Sequence, residues 1–170
     1  MYYQWVKELD CVSCGSTVPL FNDYRVASGR YENDDKYNVL CPDCESVILV
    51  EDWQQECTCS ECTSRFTPKE GTVNRSNYSC QNCGQKYKIT DAIEEQDGFD
   101  LRLFAVEYYC STCDENGEQK SKVKSYKSAT DGDKELYQQA VEQFKNSDLR
   151  EYFPDELIPK AEATSSDFGS

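Results

Sequence analysis

The distribution of hydrophobic and polar residues predicts short β-strands along most of the chain. Residues 99–109, FDLRLFAVEYY, alternate so that both faces of a strand are partly apolar. Residues 122–127, KVKSYK, fit a partner strand, so these two segments predict a β-hairpin. The short runs VILV at 47–50 and KYKI at 86–89 fit single strands. Residues 22–38 are polar and predict a loop or a weak hairpin.

One segment near the end of the chain has helical periodicity instead. In TDGDKELYQQAVEQF, residues 130–144, an Asp stands at the start, and Leu136, Ala140, Val141 and Phe144 fall on one face. The patterns therefore predict four parts. They are a lead-in at 1–10, a cysteine-rich region at 11–90, a β-hairpin plus helix at 91–146, and a short helix with a polar tail at 147–170.

Cysteine changes this picture more than any other residue type. The chain has 11 cysteines and no histidine among 170 residues. Ten of them form C-x-x-C pairs, and only Cys57 stands alone. The pairs are Cys11/Cys14, Cys41/Cys44, Cys59/Cys62, Cys80/Cys83 and Cys110/Cys113. Disulfide frameworks rarely repeat one short spacing, whereas metal sites do, because two such pairs complete a tetrahedron of thiolates. The pattern therefore favours metal over disulfides.

The spacing leaves the pairing of these motifs open. Cys11/Cys14 joins either Cys41/Cys44 in a sequential arrangement or Cys80/Cys83 in a nested one, and loop-closure entropy excludes neither. Both arrangements give two Cys₄ sites. Cys110/Cys113 is either half of a third site or a reduced pair at the tip of the hairpin. Cys57 is either a third ligand of that site or a free buried thiol. Four thiolates favour zinc, and a rubredoxin-like iron site is the alternative. The absence of histidine excludes Ser-His-Asp and Cys-His catalysis.

The predicted fold class is α+β and metal-stabilised, with small β-rich zinc-ribbon modules followed by a β-hairpin and a C-terminal helix. Each ribbon has few apolar residues, so bound zinc, in two or three sites, is expected to supply much of its stability. No apolar run approaches the roughly 20 residues of a membrane span, and the N-terminus does not resemble a signal peptide. We therefore expect a cytoplasmic protein with reduced thiols and no membrane contact.

The charge of the chain restricts its partners. A net charge of −14 repels nucleic acid on average, and it is also a feature of proteins from a high-salt cytoplasm, such as that of a halophilic archaeon. Residues 63–89 differ, because they hold five cations against one acid, Glu70. The cations are Arg65, Lys69, Arg75, Lys86 and Lys88. They are candidate contacts to DNA phosphates, and the alternative is that they compensate the charge of the thiolates.

Four segments together suggest a family. They are CVSCGSTVPLF (11–21), GTVNRSNYSCQNCG (71–84), LRLFAVEYYC (101–110) and YKSATDGDKELYQQA (126–140). Over roughly residues 8–160, the chain resembles the cysteine-rich middle region of large adenine-specific DNA methyltransferases that carry an N-terminal domain of unknown function. Some of these enzymes belong to phage-defence or restriction-modification loci. Simpler members keep only the motifs that match Cys11/Cys14 and Cys80/Cys83, so the resemblance favours the nested pairing.

The chain also departs from that family. Methyl transfer requires a D/N-P-P-Y/F motif and a glycine-rich loop for S-adenosylmethionine, and the sequence has neither. The resemblance therefore implies a zinc-binding accessory module that is not itself an enzyme. Such a module would help to position or recognise DNA beside a methyltransferase catalytic domain or subunit. The alternatives are a structural zinc module that docks on such a partner, and a transcription-associated zinc ribbon.

Overall fold

The computed structural model describes residues 2–28, 36–109 and 124–147, which form twelve strands and two helices. In chain order they are β1 Tyr2–Asp10, β2 Thr17–Pro19, β3 Arg25–Ser28, β4 Tyr37–Leu40, β5 Val47–Val50, β6 Cys57–Thr58, β7 Arg65–Phe66, β8 Val73–Asn74, β9 Asn77–Ser79, β10 Lys86–Lys88, α1 Ile89–Gln96, β11 Asp100–Tyr109, β12 Lys124–Ser128 and α2 Asp131–Lys145. The prediction of a β-rich chain with a C-terminal helix is confirmed.

The largest sheet has four strands in the order β12-β11-β1-β2, and all its pairs are antiparallel. The predicted hairpin is present in the pairing of β11 with β12. The prediction that residues 1–10 are only a lead-in is wrong, because they form β1, an inner strand of this sheet. β1 carries only two fully buried side chains, Val6 and Leu9, and its main partner β11 lies about 100 residues later in the sequence. The local pattern was therefore too weak to reveal it.

Three smaller sheets carry the cysteine-rich region. Their orders are β10-β9-β8, β3-β4-β5 and β6-β7. The predicted weak hairpin corresponds to β3 and β4, although residues 29–35 lie outside the described residues. Strands of two to four residues cannot bury much surface, so these sheets depend on packing against each other and on the cysteines.

Three hydrophobic clusters form the core. The outer cluster is Leu9, Cys11, Val18, Tyr78, Cys80 and Ala92. The middle cluster is Val6, Phe21, Tyr24 and Leu40, with Phe66 and Phe104 packed against it. The inner cluster is Val39, Cys41, Ile48 and Cys59, and Phe66 packs against it as well. The outer and inner clusters each contain two buried cysteines, so the apolar core of each cluster directly contacts cysteine side chains.

Helix α1 was not predicted. Its N-cap, Lys88, makes no side-chain cap hydrogen bond, so the sequence lacks the usual start signal. The helix is fastened to the end of β1 by Gln96. Its side-chain oxygen accepts from the Asp10 backbone N–H at 2.8 Å, and its amide donates to the Asp10 carbonyl at 2.8 Å. This contact positions the residue immediately before Cys11.

The predicted grouping of hairpin and helix at 91–146 also needs correction. The chain divides into two compact units, Met1–Thr130 and Asp131–Ser170. The hairpin belongs to the first unit, because β11 pairs with β1. The second unit contains α2, which begins with Asp131 and ends with Lys145, an arrangement that complements the helix dipole. Of the predicted short helix and polar tail at 147–170, residues 148–170 lie outside the described residues.

A tight contact joins the segment after β2 to the start of β8. The Phe21 carbonyl accepts from the Val73 N–H at 2.9 Å, and the Thr72 hydroxyl oxygen accepts from the Phe21 N–H at 2.9 Å. Gly71 lies so close that an added Cβ would fall on the backbone of Phe21 and Asn22. Only glycine fits at this crossing of two chain segments.

We expect Gly71→Ala to lower the free energy of unfolding by about 2 kcal/mol or more, because backbone atoms must move to admit the methyl group. Gly15→Ala is the matched control. An added Cβ meets nothing within 4 Å there, and only its φ of 67° opposes the change. The control should cost about 1 kcal/mol. Denaturant unfolding in the presence of metal measures both. An equal loss in the two variants would contradict the close approach at Gly71.

Candidate metal centres

Four C-x-x-C motifs fold into the same turn. In each, the N–H of the first cysteine donates to the carbonyl five residues later, and its own carbonyl accepts from the N–H four residues later, at 2.8–3.0 Å. The residue after the second cysteine has positive φ. These residues are Gly15 (67°), Glu45 (57°), Thr63 (65°) and Gly84 (73°). The turn directs both sulfur atoms of a motif to the same side, as a shared ligand requires.

The structure has the nested arrangement. The sulfur atoms of Cys11, Cys14, Cys80 and Cys83 lie within 4.8 Å of one another, and those of Cys41, Cys44, Cys59 and Cys62 do the same. We call these groups the outer tetrad and the inner tetrad. The inner tetrad closes a short loop, and the outer tetrad brings together segments on both sides of it. Each tetrad could hold a metal ion.

The sulfur spacing fits a tetrahedral ion. Across the outer tetrad, Cys11 and Cys83 are 3.6 Å apart and Cys14 and Cys80 are 3.7 Å apart. In the inner tetrad, the Cys41–Cys62 and Cys44–Cys59 separations are both 3.6 Å. A tetrahedron with metal–sulfur bonds of about 2.3 Å has edges of about 3.8 Å. A disulfide would need about 2.05 Å, so the nine cysteines of the described residues are free thiols.

Each tetrad has a buried side and a more accessible side. The first cysteines of the motifs, Cys11, Cys41, Cys59 and Cys80, are at most 2 % exposed. Their partners are less buried. In the outer tetrad, the Asn82 amide donates to the Cys14 sulfur at 3.6 Å and to the Ser16 hydroxyl at 3.0 Å. In the inner tetrad, the Glu61 N–H donates to the Cys59 sulfur at 3.4 Å. Such donors stabilise thiolates.

Sequence reasoning missed these supporting residues, although a signal was present. Ser16, Ser46 and Ser64 each stand two residues after the second cysteine of a motif, and Gln85 takes that place in the fourth. Their carbonyls close the turns. The repeated serine could therefore have marked the motif as C-x-x-C-x-S.

The inner tetrad is tied to the four-stranded sheet through Glu45. Arg102, on β11, forms an ion pair with Glu8 of β1 and reaches Glu45 at 2.7 Å. Ser128, at the end of β12, donates its hydroxyl to the Glu45 carbonyl and accepts from the Val47 N–H at 3.2 Å. Positive φ is costly for a residue with a side chain, by about 1 kcal/mol or more. These contacts help to hold Glu45 there.

The metal-free thiols differ in acidity. The Ser16 side chain and backbone, together with Asn82, lower the pKa of Cys14 to about 6, and Ser64 lowers the pKa of Cys62 to about 6 in the same way. Burial raises the pKa of Cys41 to about 12. Four sulfur atoms this close cannot all carry a negative charge without a cation between them. Binding a metal ion must therefore displace protons.

Cys57 belongs to neither tetrad. It lies on β6 opposite Phe66, and burial raises the pKa of its thiol. Cys110 and Cys113, the predicted half of a third site, lie outside the described residues. The prediction of a third zinc ion is therefore not tested.

The five predicted DNA contacts are all exposed, and they occupy two places. Lys86 and Lys88 lie on β10, and Arg75 lies in the turn between β8 and β9. Arg65 lies on β7 and Lys69 just after it. The structure thus divides the basic segment between two places. We call the segments around the outer tetrad the outer ribbon and those around the inner tetrad the inner ribbon.

These features define a β-rich chain with two cysteine tetrads, each able to hold one metal ion. Comparison with protein-family models, curated proteins and solved structures finds no match to it. Among the described residues, no helix is both long enough and apolar enough to cross a membrane.

We expect the wild-type protein to carry one metal ion in each tetrad, and Cys59→Ser or Cys80→Ser to lose one ion. Each of these variants should melt about 10 °C or more below wild type, because a closed site loses one of its four ligands. Cys57→Ser is the matched control and should keep both ions, with a melting temperature within about 3 °C of wild type. Native mass spectrometry and thermal melts give the two readouts. Equal damage in all three variants would mean that Cys57 is a ligand.

We also expect metal affinity to fall as the pH is lowered. Cys41, with a pKa of about 12, is protonated in the metal-free chain at neutral pH and must lose its proton when the inner tetrad binds an ion. With zinc as the probe, the affinity should drop about tenfold or more for each pH unit between about pH 8 and pH 6. Competition with a chromophoric chelator measures the affinity, and calorimetry in two buffers counts the released protons. A pH-independent affinity would contradict this account.

Proposed function

We propose that both tetrads bind zinc and that the cysteine-rich region consists of two nested zinc ribbons. The sulfur spacing carries this proposal, since four thiolates in a tetrahedron are the usual structural zinc ligands. Iron fits the same ligands, so elemental analysis of protein purified without added metal distinguishes the two. A zinc site with four thiolates has no open coordination position, which supports a structural role rather than a catalytic one.

We further propose that the outer ribbon contacts DNA phosphates. The register of β8, β9 and β10 supports this. Asn74 lies opposite Asn77, Asn77 opposite Lys88, and Ser79 opposite Lys86. Directly opposed residues share a face of an antiparallel sheet. The other face carries Val73, Tyr78 and Tyr87, and Tyr78 is fully buried.

We call the polar side the basic face. It consists of Asn74, Asn77, Ser79, Lys86 and Lys88, with Arg75 at its edge, and it contains no carboxylate. The rest of the chain is strongly acidic, so cations gathered on one face create a local exception to the repulsion of nucleic acid.

The pairing of the cations also favours this proposal over charge compensation. Several other cations of the described residues have carboxylate partners. They are Arg25 with Asp23, Arg102 with Glu8 and Glu45, Lys124 with Glu107, and Lys134 with Asp131. Within the described parts of the chain, none of the five cations of residues 63–89 forms an ion pair. The donors described above for the tetrad sulfurs are the Asn82 side-chain amide and the Glu61 backbone N–H, not cations. These cations are therefore available for an external anion.

The setting that we propose for this module is an adenine-specific DNA methyltransferase. It rests on the sequence resemblance alone. The chain would serve as an accessory module that helps to position or recognise DNA, beside a catalytic domain or subunit that supplies the chemistry. A module that only docks on such a partner is the alternative, and it would show no DNA binding of its own.

Charge reversal tests the DNA contact. At low salt, we expect wild type to bind duplex DNA weakly, with a Kd of roughly 10–100 μM. Arg75→Glu/Lys86→Glu should bind at least about tenfold more weakly and flatten the salt dependence by about two units of slope, because two phosphate contacts are lost.

Arg65→Glu/Lys69→Glu changes the net charge equally but lies on the inner ribbon, so it is the matched control and should have a smaller effect. Fluorescence anisotropy with a labelled duplex measures all three proteins. Equal losses of DNA affinity in both variants would mean that the overall charge, and not the basic face, determines binding. If wild type does not bind, the docking alternative takes its place.

A further inference from the structure

The most unusual residue of the basic face is Arg75. It lies in a two-residue turn, because Asn74, the last residue of β8, pairs with Asn77, the first residue of β9. Its φ is 57°, in the left-handed region. Tight hairpin turns need positive φ at this position and favour glycine or asparagine there. Glycine has no Cβ to clash, and asparagine offsets the strain by local hydrogen bonds. Turn formation therefore does not explain an arginine.

Backbone hydrogen bonds fix this turn and the strand that follows it. The Ser76 carbonyl accepts from the Ile89 N–H at 2.9 Å, which fixes the turn to the start of α1. The Ser79 N–H donates to the Thr72 carbonyl at 2.8 Å, so β9 is held on its other side as well. Arg75 is exposed and forms no ion pair with another described residue. An exposed side chain thus projects from a backbone held by hydrogen bonds, and little ordering of the main chain opposes binding.

The size of the sheet bears on which groove this side chain can enter. Three strands span two spacings of about 4.8 Å, so the sheet backbone is about 10 Å across before side chains are added, whereas the major groove, about 12 Å wide, admits an α-helix or a two-stranded ribbon. A three-stranded face is therefore better suited to lie across the phosphate backbone. In that placement Lys86 and Lys88, two residues apart on β10, would meet phosphates, and the turn would reach into a groove. A single guanidinium fits the minor groove, which is about 6 Å wide.

We propose that Arg75 inserts into the minor groove and gives the module a preference for narrow, A·T-rich DNA. Narrow minor grooves have an enhanced negative potential that attracts arginine. Asn74 and Asn77 flank the turn, and asparagine side chains are suited to the acceptor atoms of A·T pairs. This inference rests on the proposed DNA contact and adds which groove is read and by which residue.

The test compares two duplexes of equal length and charge, one with a central A-tract and one of G·C pairs. Wild type should bind the A-tract duplex about fivefold more tightly. Arg75→Lys keeps the charge but loses most of this preference, because an ammonium is more strongly hydrated than a guanidinium. The salt dependence of binding should keep its slope in this variant, because the number of cations on the basic face is unchanged.

Two controls separate the role of Arg75 from folding and from charge. Lys86→Arg alters a phosphate contact and should keep the preference. Arg75→Gly should fold at least as stably as wild type, because glycine relieves the strain at positive φ, and yet lose the preference.

A minor-groove-binding ligand added to the A-tract duplex gives an independent readout and should abolish the preference of wild type. Binding without any A·T preference would overturn the inference and leave the phosphate contact intact. A preference for G·C pairs that Arg75→Lys removes would place Arg75 in the major groove and also overturn it. If wild type binds neither duplex, it is the proposed function that fails.

Discussion

The gathering of eight thiols into two tetrads is the constraint on which the rest of the structure depends. The strands around them are two to four residues long, and each hydrophobic cluster has only four to six buried members. Cores of this size rarely offset the entropy of ordering the chain. Two of the buried members in the outer cluster and two in the inner cluster are themselves cysteines. An ion bound by those sulfurs would cross-link the segments that the apolar contacts align, and the proposed zinc supplies that link.

The nesting of the tetrads makes the first unit, Met1–Thr130, one assembly rather than two independent ribbons. The middle cluster joins them, because Phe21 leaves the outer ribbon, Tyr24 and Leu40 lead into the inner one, and Phe104 comes from the large sheet. Phe66 packs against both the middle and the inner clusters. Arg102 and Ser128 add polar contacts from the sheet to the inner motif at Glu45. Loss of order at one tetrad should therefore destabilise the other.

The cations of the large sheet and those of the outer ribbon have different roles. Acidic side chains are tolerated over most of the surface, and several cations are used in ion pairs that fix the sheet, such as Arg102 with Glu8. The outer ribbon instead presents unpaired cations on a sheet whose opposite face is fastened by Tyr78 and Tyr87, with ring centroids 5.8 Å apart. The binding surface that we propose thus lies on the strands β9 and β10, whose connection carries Cys80 and Cys83 of the outer tetrad.

The sequence by itself indicated the eight cysteines of the two tetrads and their local turns. A C-x-x-C motif closes through hydrogen bonds to the residues four and five positions later, so its geometry is set within six residues, and glycine takes the position of positive φ in two of the motifs, at Gly15 and Gly84. The alternation in β11 and the periodicity of α2 were equally local, and both elements are present. Glu45 and Thr63 hold the same φ without being glycine, which no local rule predicts.

Only the tertiary structure decided which motifs meet. Loop-closure entropy changes by about 0.6 kcal/mol for each doubling of loop length, too little to separate nested from sequential pairing. The choice is made by long-range packing. β1 pairs with β11, Gln96 fastens α1 to Asp10, and the Phe21–Thr72 crossing brings Cys80 back to Cys14. Each of these contacts joins residues 50 or more positions apart, and a pattern read over a short window carries no information about such partners.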